Sequence, residues 1–261
     1  MQIVYKYLPP ERIDYLENQL LRFTQPGDLN DPFEFIPMIV NFDSDHFIEN
    51  VIVRNHRQHL TETQITKGAQ AIKDLCISNP DCLSNLFYEK YLHKANAEIG
   101  VFSLSRKWNN SLMWSTYAKV QQGFCVGFDS DHEFFHRQAT DCADIGTLKP
   151  VSYSTKRLDK VIGNTLDIDI TWFFTKSSDW SYEEEMRLIR LLRNSKVVKQ
   201  EKPYEIFLFE VPHDAIREIV CGISASENLK VKLHDFAKSH NIDFYQGVIS
   251  RTSYDIERRR L

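Results

Sequence analysis

The stretch Lys176–Arg190, KSSDWSYEEEMRLIR, decides how this chain is read. Within it Glu183, Glu185 and Arg187 sit two apart and run on into Leu188 and Ile189. A strand points every second side chain to one face. These three charges then share a face, with Glu184 and Met186 on the other, and Lys176 and Trp180 are expected near the same cleft. Unpaired charge on a buried face is strongly disfavoured, so the arrangement marks a site or an ion-pair network. On a helix the same residues would spread around the axis and read as a solvated, acidic helix start. The strand is the expectation carried forward.

Outward from this stretch the chain is rich in strand signals. Gln2–Tyr7 alternates, and Pro9-Pro10 ends it. Glu11–Leu21 reads as a helix with Ile13, Leu16, Leu20 and Leu21 on one face, and Leu21–Thr24 as a short strand. QPGDLNDP (25–32) is dense in turn formers; Asn30 and Asp31 stabilise the turn and Phe33 is expected to plug the core. Further strands are expected at Gly100–Ser105, Gly123–Asp129, Leu148–Ser154, Glu183–Leu191, Tyr204–Val211, Glu218–Cys221 and Ile242–Tyr245. Helices are expected at Asn110–Val120, Lys156–Leu166 and Ser226–Ser239.

Residues 43–98 differ in kind. They are mostly polar with helical spacing (Ile48, Val51, Ile52; Ile65, Ala69, Ile72, Leu75; Leu83, Phe87, Tyr91), which gives three helices, with Pro80 as a break and Asp81 as a cap. Strands and helices do not alternate strictly. The expectation is a single α+β domain over 1–261, a mixed or antiparallel β core with 43–98 as a helical insertion.

The 261 residues, 42% of them hydrophobic, suffice for a substantial core. A net charge of −4 supplies no basic field for general nucleic-acid affinity. The run Arg258–Arg260 reads as a solvated tail. Five cysteines, with no C-x-x-C pair and no zinc spacing, point to reduced thiols and no metal. No secretory leader and no apolar run of about 20 residues is present, so no membrane partner and a cytoplasmic location are expected. The P-loop, G-x-G-x-x-G and G-x-S-x-G patterns are absent, which argues against a P-loop NTPase, a Rossmann dehydrogenase and an α/β-hydrolase.

Three ordered segments carry a resemblance: LLRFTQPGDLNDPFEF (20–35), VFSLSRKWNNSLMWSTYAKVQQGFCVGFD (101–129) and K-x-x-x-W-x-Y-E-x-E-x-R (176–187). Together they resemble a bacterial family of uncharacterised proteins, the domain of unknown function numbered twenty-nine seventy-one. A more distant resemblance joins IVYKYLPPERIDYLENQLLRFT (3–24) to the opening of the ADP-ribosyltransferase-like fold. It implies a β core of that type and NAD, or a related nucleotide, as substrate. Lys6 or Tyr7 would occupy the first-strand position, Ser103 or Ser105 the second, and Glu185, preceded by Glu183, the late carboxylate.

A carboxylate aimed at the ribose hydroxyls would stabilise the positive charge that develops when the nicotinamide–ribose bond breaks. Arg22 and Arg187 are candidates for pyrophosphate, because a guanidinium fork matches phosphate oxygens. Trp114 and Tyr117 are candidates for stacking on a flat ring. Each has a plainer reading: Trp114 and Tyr7 as core packing, Arg187 as the partner of Glu183. The leading expectation is an NAD-dependent ADP-ribosyltransferase or NAD glycohydrolase, of toxin or phage-defence type, with an unidentified macromolecular acceptor. The alternative is a non-catalytic protein-binding module. A nuclease is a third reading, unsupported by any metal-ligand cluster or basic surface.

Overall fold

The computed structural model describes residues 2–36, 38–40, 59–137, 145–161 and 170–261. The first half runs β1 (Ile3–Leu8), α1 (Tyr15–Asn18), β2 (Leu20–Phe23), β3 (Met38–Val40), α2 (Glu62–Ser78), α3 (Pro80–Glu98), β4 (Ile99–Ser105), α4 (Ser111–Tyr117) and β5 (Phe124–Asp129). Then follow β6 (Lys149–Pro150), β7 (Ser152–Ser154), β8 (Asp159–Val161), β9 (Thr175–Ser177), β10 (Glu185–Leu191), β11 (Val197–Lys199), β12 (Ile206–Glu210), β13 (Ile216–Cys221), α5 (Glu227–Ser239), β14 (Asp243–Ile249) and β15 (Ile256–Arg260).

Among the described residues eight strands form one sheet in the order β15-β14-β13-β5-β1-β4-β10-β6. Its neighbours are antiparallel except β13 and β14, which are parallel and joined through α5. The class is therefore α+β with a large mixed sheet. A second sheet, β11-β12-β2, packs beside it. Phe23 of β2 stacks on Phe102 of β4 at 4.9 Å and leans on Phe209 of β12 at 4.3 Å. The main core also holds Phe124, Phe128, Phe135, Leu188 and, from α5, Leu229 and Leu233. On the opposite face of the large sheet, Tyr5, Tyr7, Cys125 and Val220 pack with Met113 and Trp114 of α4.

One feature of the pairing opens the site. β1 matches β5 along its whole length, but its partnership with β4 is confined to Tyr5 opposite Ser105. Beyond that point Lys6 spans the gap, its Nζ donating to Ser103 O at 2.9 Å.

Several expected elements differ. The Glu11–Leu21 helix is a 3₁₀ turn over Pro10–Asp14 followed by the short α1, because Gln19 turns left-handed (φ 58°) and sends Leu20 into β2. Pro80 opens α3 at its first turn, where a missing N–H costs nothing, and Asp81 is not the cap. The helix near Ile48–Ile52 lies outside the described residues. The helix expected at Lys156–Leu166 contains β8 instead, paired in parallel with β3, and residues 162–169 lie outside the described ones. Leu148–Ser154 splits into β6 and β7, which join different sheets. The Asn110–Val120 helix stops at Tyr117, and Lys119, Val120 and Gln121 follow at φ 48°, 52° and 64°. The C-terminal arginines form β15: Arg258 pairs with Glu218 and lies 4.2 Å from the centre of the Tyr245 ring.

Candidate functional site

The site grows from the start of β10. Glu185 and Arg187 share a face of that strand, as alternation requires, and both are buried. Glu183 is not on the strand. It ends a 3₁₀ helix, Ser178–Glu183, and Glu184 intervenes in a left-handed conformation (φ 42°, ψ 51°) with its carboxylate on Lys107 at the surface. The glutamates still meet, because β9 carries Lys176 beneath them. Lys176 Nζ lies 2.7 Å from Glu183 Oε2, 2.9 Å from Glu34 Oε1 and 3.5 Å from Glu185 Oε2, and 4.6 Å from the centre of the Trp180 ring.

Glu34 comes from the 25–35 turn. Asp31 closes that turn by accepting from the Phe33 N–H at 3.0 Å, and Glu34 N donates to Asp31 O. Phe35, at φ 60°, carries its ring into the core against Phe173, whereas Phe33, the residue expected to plug the core, is 63% exposed.

Arg187 spends its guanidinium inside this cluster. Nε and Nη2 grip both Glu185 oxygens at 2.7 and 2.8 Å, Nη2 also donates to Glu34, and Nη1 donates to Phe173 O at 2.8 Å. Three carboxylates thus face two cations in the interior. Such a network persists only if its members are paired and hydrogen-bonded.

The environments pull the titrating groups apart. Burial drives the Glu34 carboxyl above its ordinary range, and the Arg187 and Lys176 charges offset this only in part. At Glu185 burial also pushes upward, but the charge and hydrogen bonds of Arg187, with Lys176, outweigh it and hold the group at about 2. Burial opposes the charge on Lys176, yet Glu185, Glu34 and Glu183 together keep it above the usual lysine value. Lys6, with burial dominant and Glu185 and Glu183 only partly compensating, falls to about 8. Carboxyls displaced in opposite directions beside a lowered lysine are typical of acid–base sites.

A cavity of about 230 Å³ lies over this cluster. Lys6, Tyr7, Ser103, Ser105, Tyr117, Glu183 and Glu185 all line it, with Glu34 and Lys176 at one wall. Tyr117 Oη donates to Glu183 Oε1 at 2.6 Å and accepts from Asn30 Nδ2 at 2.6 Å. Tyr7 and Ser105 are committed to the backbone: Tyr7 Oη donates to Lys107 O at 2.8 Å, and Ser105 Oγ donates to Glu183 O at 2.6 Å. These two hold the walls in place.

Three candidates fall elsewhere. Trp114 is 1% exposed, lies edge-on to Tyr7 at 5.2 Å and donates its indole N–H to Trp108 O, so it supports the cavity from below and offers no ring to a ligand. Arg187 is sealed among carboxylates and does not line the cavity. Arg22 pairs with Asp28, and only Asp28 of the two reaches the cavity. Glu34 was the residue missed; a glutamate between two phenylalanines in a turn was its one sequence signal.

Among the described residues no cluster of three or more His, Cys, Asp or Glu side chains is placed to hold a metal, and no helix is long and apolar enough to cross a membrane. Residues 113–188, which include Tyr117, Lys176, Glu183, Glu185 and Arg187, match the family described as "Protein of unknown function (DUF2971)". No curated protein and no solved structure matches the chain.

Proposed function

We propose that the cavity over Glu183 and Glu185 cleaves the nicotinamide–ribose bond of NAD, or the equivalent bond of a related nucleotide, by transfer or hydrolysis. The observation that carries this reading is convergence. Lys6 and Tyr7, Ser103 and Ser105, and Glu183 and Glu185 come from three distant stretches of sequence and line one cavity.

In the proposed reaction the C1′–N bond breaks and its electron pair leaves with nicotinamide. Carboxylates have about four acceptor positions each, so Glu183 and Glu185 keep capacity for ribose hydroxyls beyond their present partners. Their negative field meets the developing ribosyl cation where it forms. Water, or a nucleophilic group of an acceptor, then bonds to C1′ and yields its proton to the Glu183 carboxylate. Lys6, facing the cavity across the β1–β4 gap, serves the substrate phosphate.

Glu183→Gln is the informative variant. It keeps the side chain's size, and it leaves two carboxylates against two cations in the cluster. Nicotinamide release is expected to fall by roughly 10²-fold or more, with the melting curve little changed. Glu184→Gln, on the surface with Lys107, is the silent control. Absence of both NAD protection in a melt and nicotinamide release in the presence of cell extract would overturn the enzyme reading. One observation favours the binding module as a second reading: every carboxylate of the cluster already has a cationic partner. A partner complex that survives loss of both Glu183 and Glu185 would select it.

A further inference from the structure

A second cavity, of about 220 Å³, lies on the other side of Glu34 and Lys176, which line both. Each cavity alone falls below the roughly 300 Å³ where ordinary small-molecule sites begin; taken together they lie within that range. Two of its features are unlike the first cavity. Lys156 and Arg157 stand on it, and Arg157 is oriented by two bonds from its guanidinium to Ile36 O, at 3.1 and 2.8 Å. Phe33 presents a ring that is 63% exposed.

An exposed aromatic ring stacks on any base. Paired Lys and Arg side chains bind phosphate. The two arginines expected to hold phosphate, Arg22 and Arg187, are both occupied by carboxylates.

We infer that this second cavity binds a nucleoside monophosphate moiety, with the phosphate on Lys156 and Arg157 and the base against Phe33. The inference rests on the proposed function in that the moiety would be the adenylate half of the dinucleotide, whose other half enters the first cavity past Glu34 and Lys176.

The test uses the full chain and AMP, which has no nicotinamide–ribose bond, so its result does not depend on cleavage. Calorimetric titration of AMP is expected to show saturable binding, weakened at least about tenfold by Lys156→Ala combined with Arg157→Ala and roughly tenfold by Phe33→Ala. Lys156→Ala alone, on an exposed side chain, weakens AMP in the same direction and covers the case in which the Arg157 variant loosens its anchor at Ile36. Adenosine is expected to lose its sensitivity to Lys156→Ala while keeping its sensitivity to Phe33→Ala. Absence of AMP binding at millimolar concentration, or affinity untouched by Lys156→Ala and Phe33→Ala, overturns the inference. AMP binding without nicotinamide release by any preparation leaves this subsite standing and removes the cleavage reading. Nicotinamide release with no AMP binding does the reverse.

Discussion

Tyr117 Oη donates a 2.6 Å hydrogen bond to Glu183 Oε1, and this contact ties the end of α4 to the acidic cluster. Burial and the Glu183 charge both push the phenol far above its usual range, so Tyr117 keeps its proton and remains a donor. Glu183 is thereby held between Tyr117 on one oxygen and Lys176 on the other.

Tyr117→Phe removes one of those two restraints. We expect a loss of about 1 kcal/mol in stability and a roughly tenfold fall in nicotinamide release carried by kcat, since Tyr117 positions a carboxylate. Steady-state kinetics beside a urea melt check this. A change confined to the melt would make Tyr117 purely structural.

The charge count in the interior gives an asymmetric pair of variants. Arg187→Met leaves three carboxylates against Lys176 alone and should cost about 3–5 kcal/mol. Glu34→Gln leaves two against two and should cost only about 1 kcal/mol. Glu185 adds a pH signature. Its folded value near 2 lies below its ordinary 4.5, so its contribution is fully present above pH 4.5 and is lost as pH falls towards 2. Acid melts of wild type should show this loss, and Arg187→Met, which has no guanidinium to hold Glu185 low, should show a smaller one.

Lys6 offers a second titration in the opposite range. Its folded value near 8 lies below the ordinary 10.5. Between those values the unfolded chain holds a proton that the folded chain has released, so stability relative to Lys6→Met should rise with pH from about 8 to 10.5 and stay flat below 8. Substoichiometric amine acylation followed by peptide mapping should modify Lys6 early, with a midpoint near pH 8. A midpoint above 10 would contradict the placement of Lys6 in the β1–β4 gap.

Two glycines fix the floor beneath α4. A Cβ on Gly123 would run into the Leu8 carbonyl oxygen, and one on Gly222 into the Gln121 carbonyl oxygen. Backbone atoms give way poorly, so Gly123→Ala and Gly222→Ala should each lose about 1–3 kcal/mol or more by denaturant titration. Gly68→Ala in α2, where nothing lies near the added methyl, should instead gain about 1 kcal/mol.

The sequence made some of this site legible and concealed the rest for identifiable reasons. Period-two alternation placed Glu185 and Arg187 on one face because it is a local property of a strand. The same rule misplaced Glu183, since the left-handed Glu184 breaks the alternation one residue before the strand begins. Glu183 and Glu185 still meet through Lys176, which together with Trp180 was expected near the same cleft. Glu34 reaches Arg187 across 153 positions, a distance at which periodicity is silent. Trp114 and Arg187 drew binding roles from their chemistry alone; only burial shows that both are already engaged. Arg258 looked like a solvated tail because its partners, Glu218 and Tyr245, lie on other strands.

The central place of β1 has a consequence for how the chain is made. Its neighbours in the sheet are β5, ending at Asp129, and β4, ending at Ser105. During synthesis β1 must therefore wait until Ser105 before one side is covered, and until Asp129, about half of these 261 residues, before both are. Non-local pairing of this kind slows folding, and an uncovered strand edge is a template for pairing with other chains. Fragments cut before Phe124 should aggregate through Ile3–Leu8, and extension past Asp129, which supplies β5 to cover that edge, should raise the soluble yield.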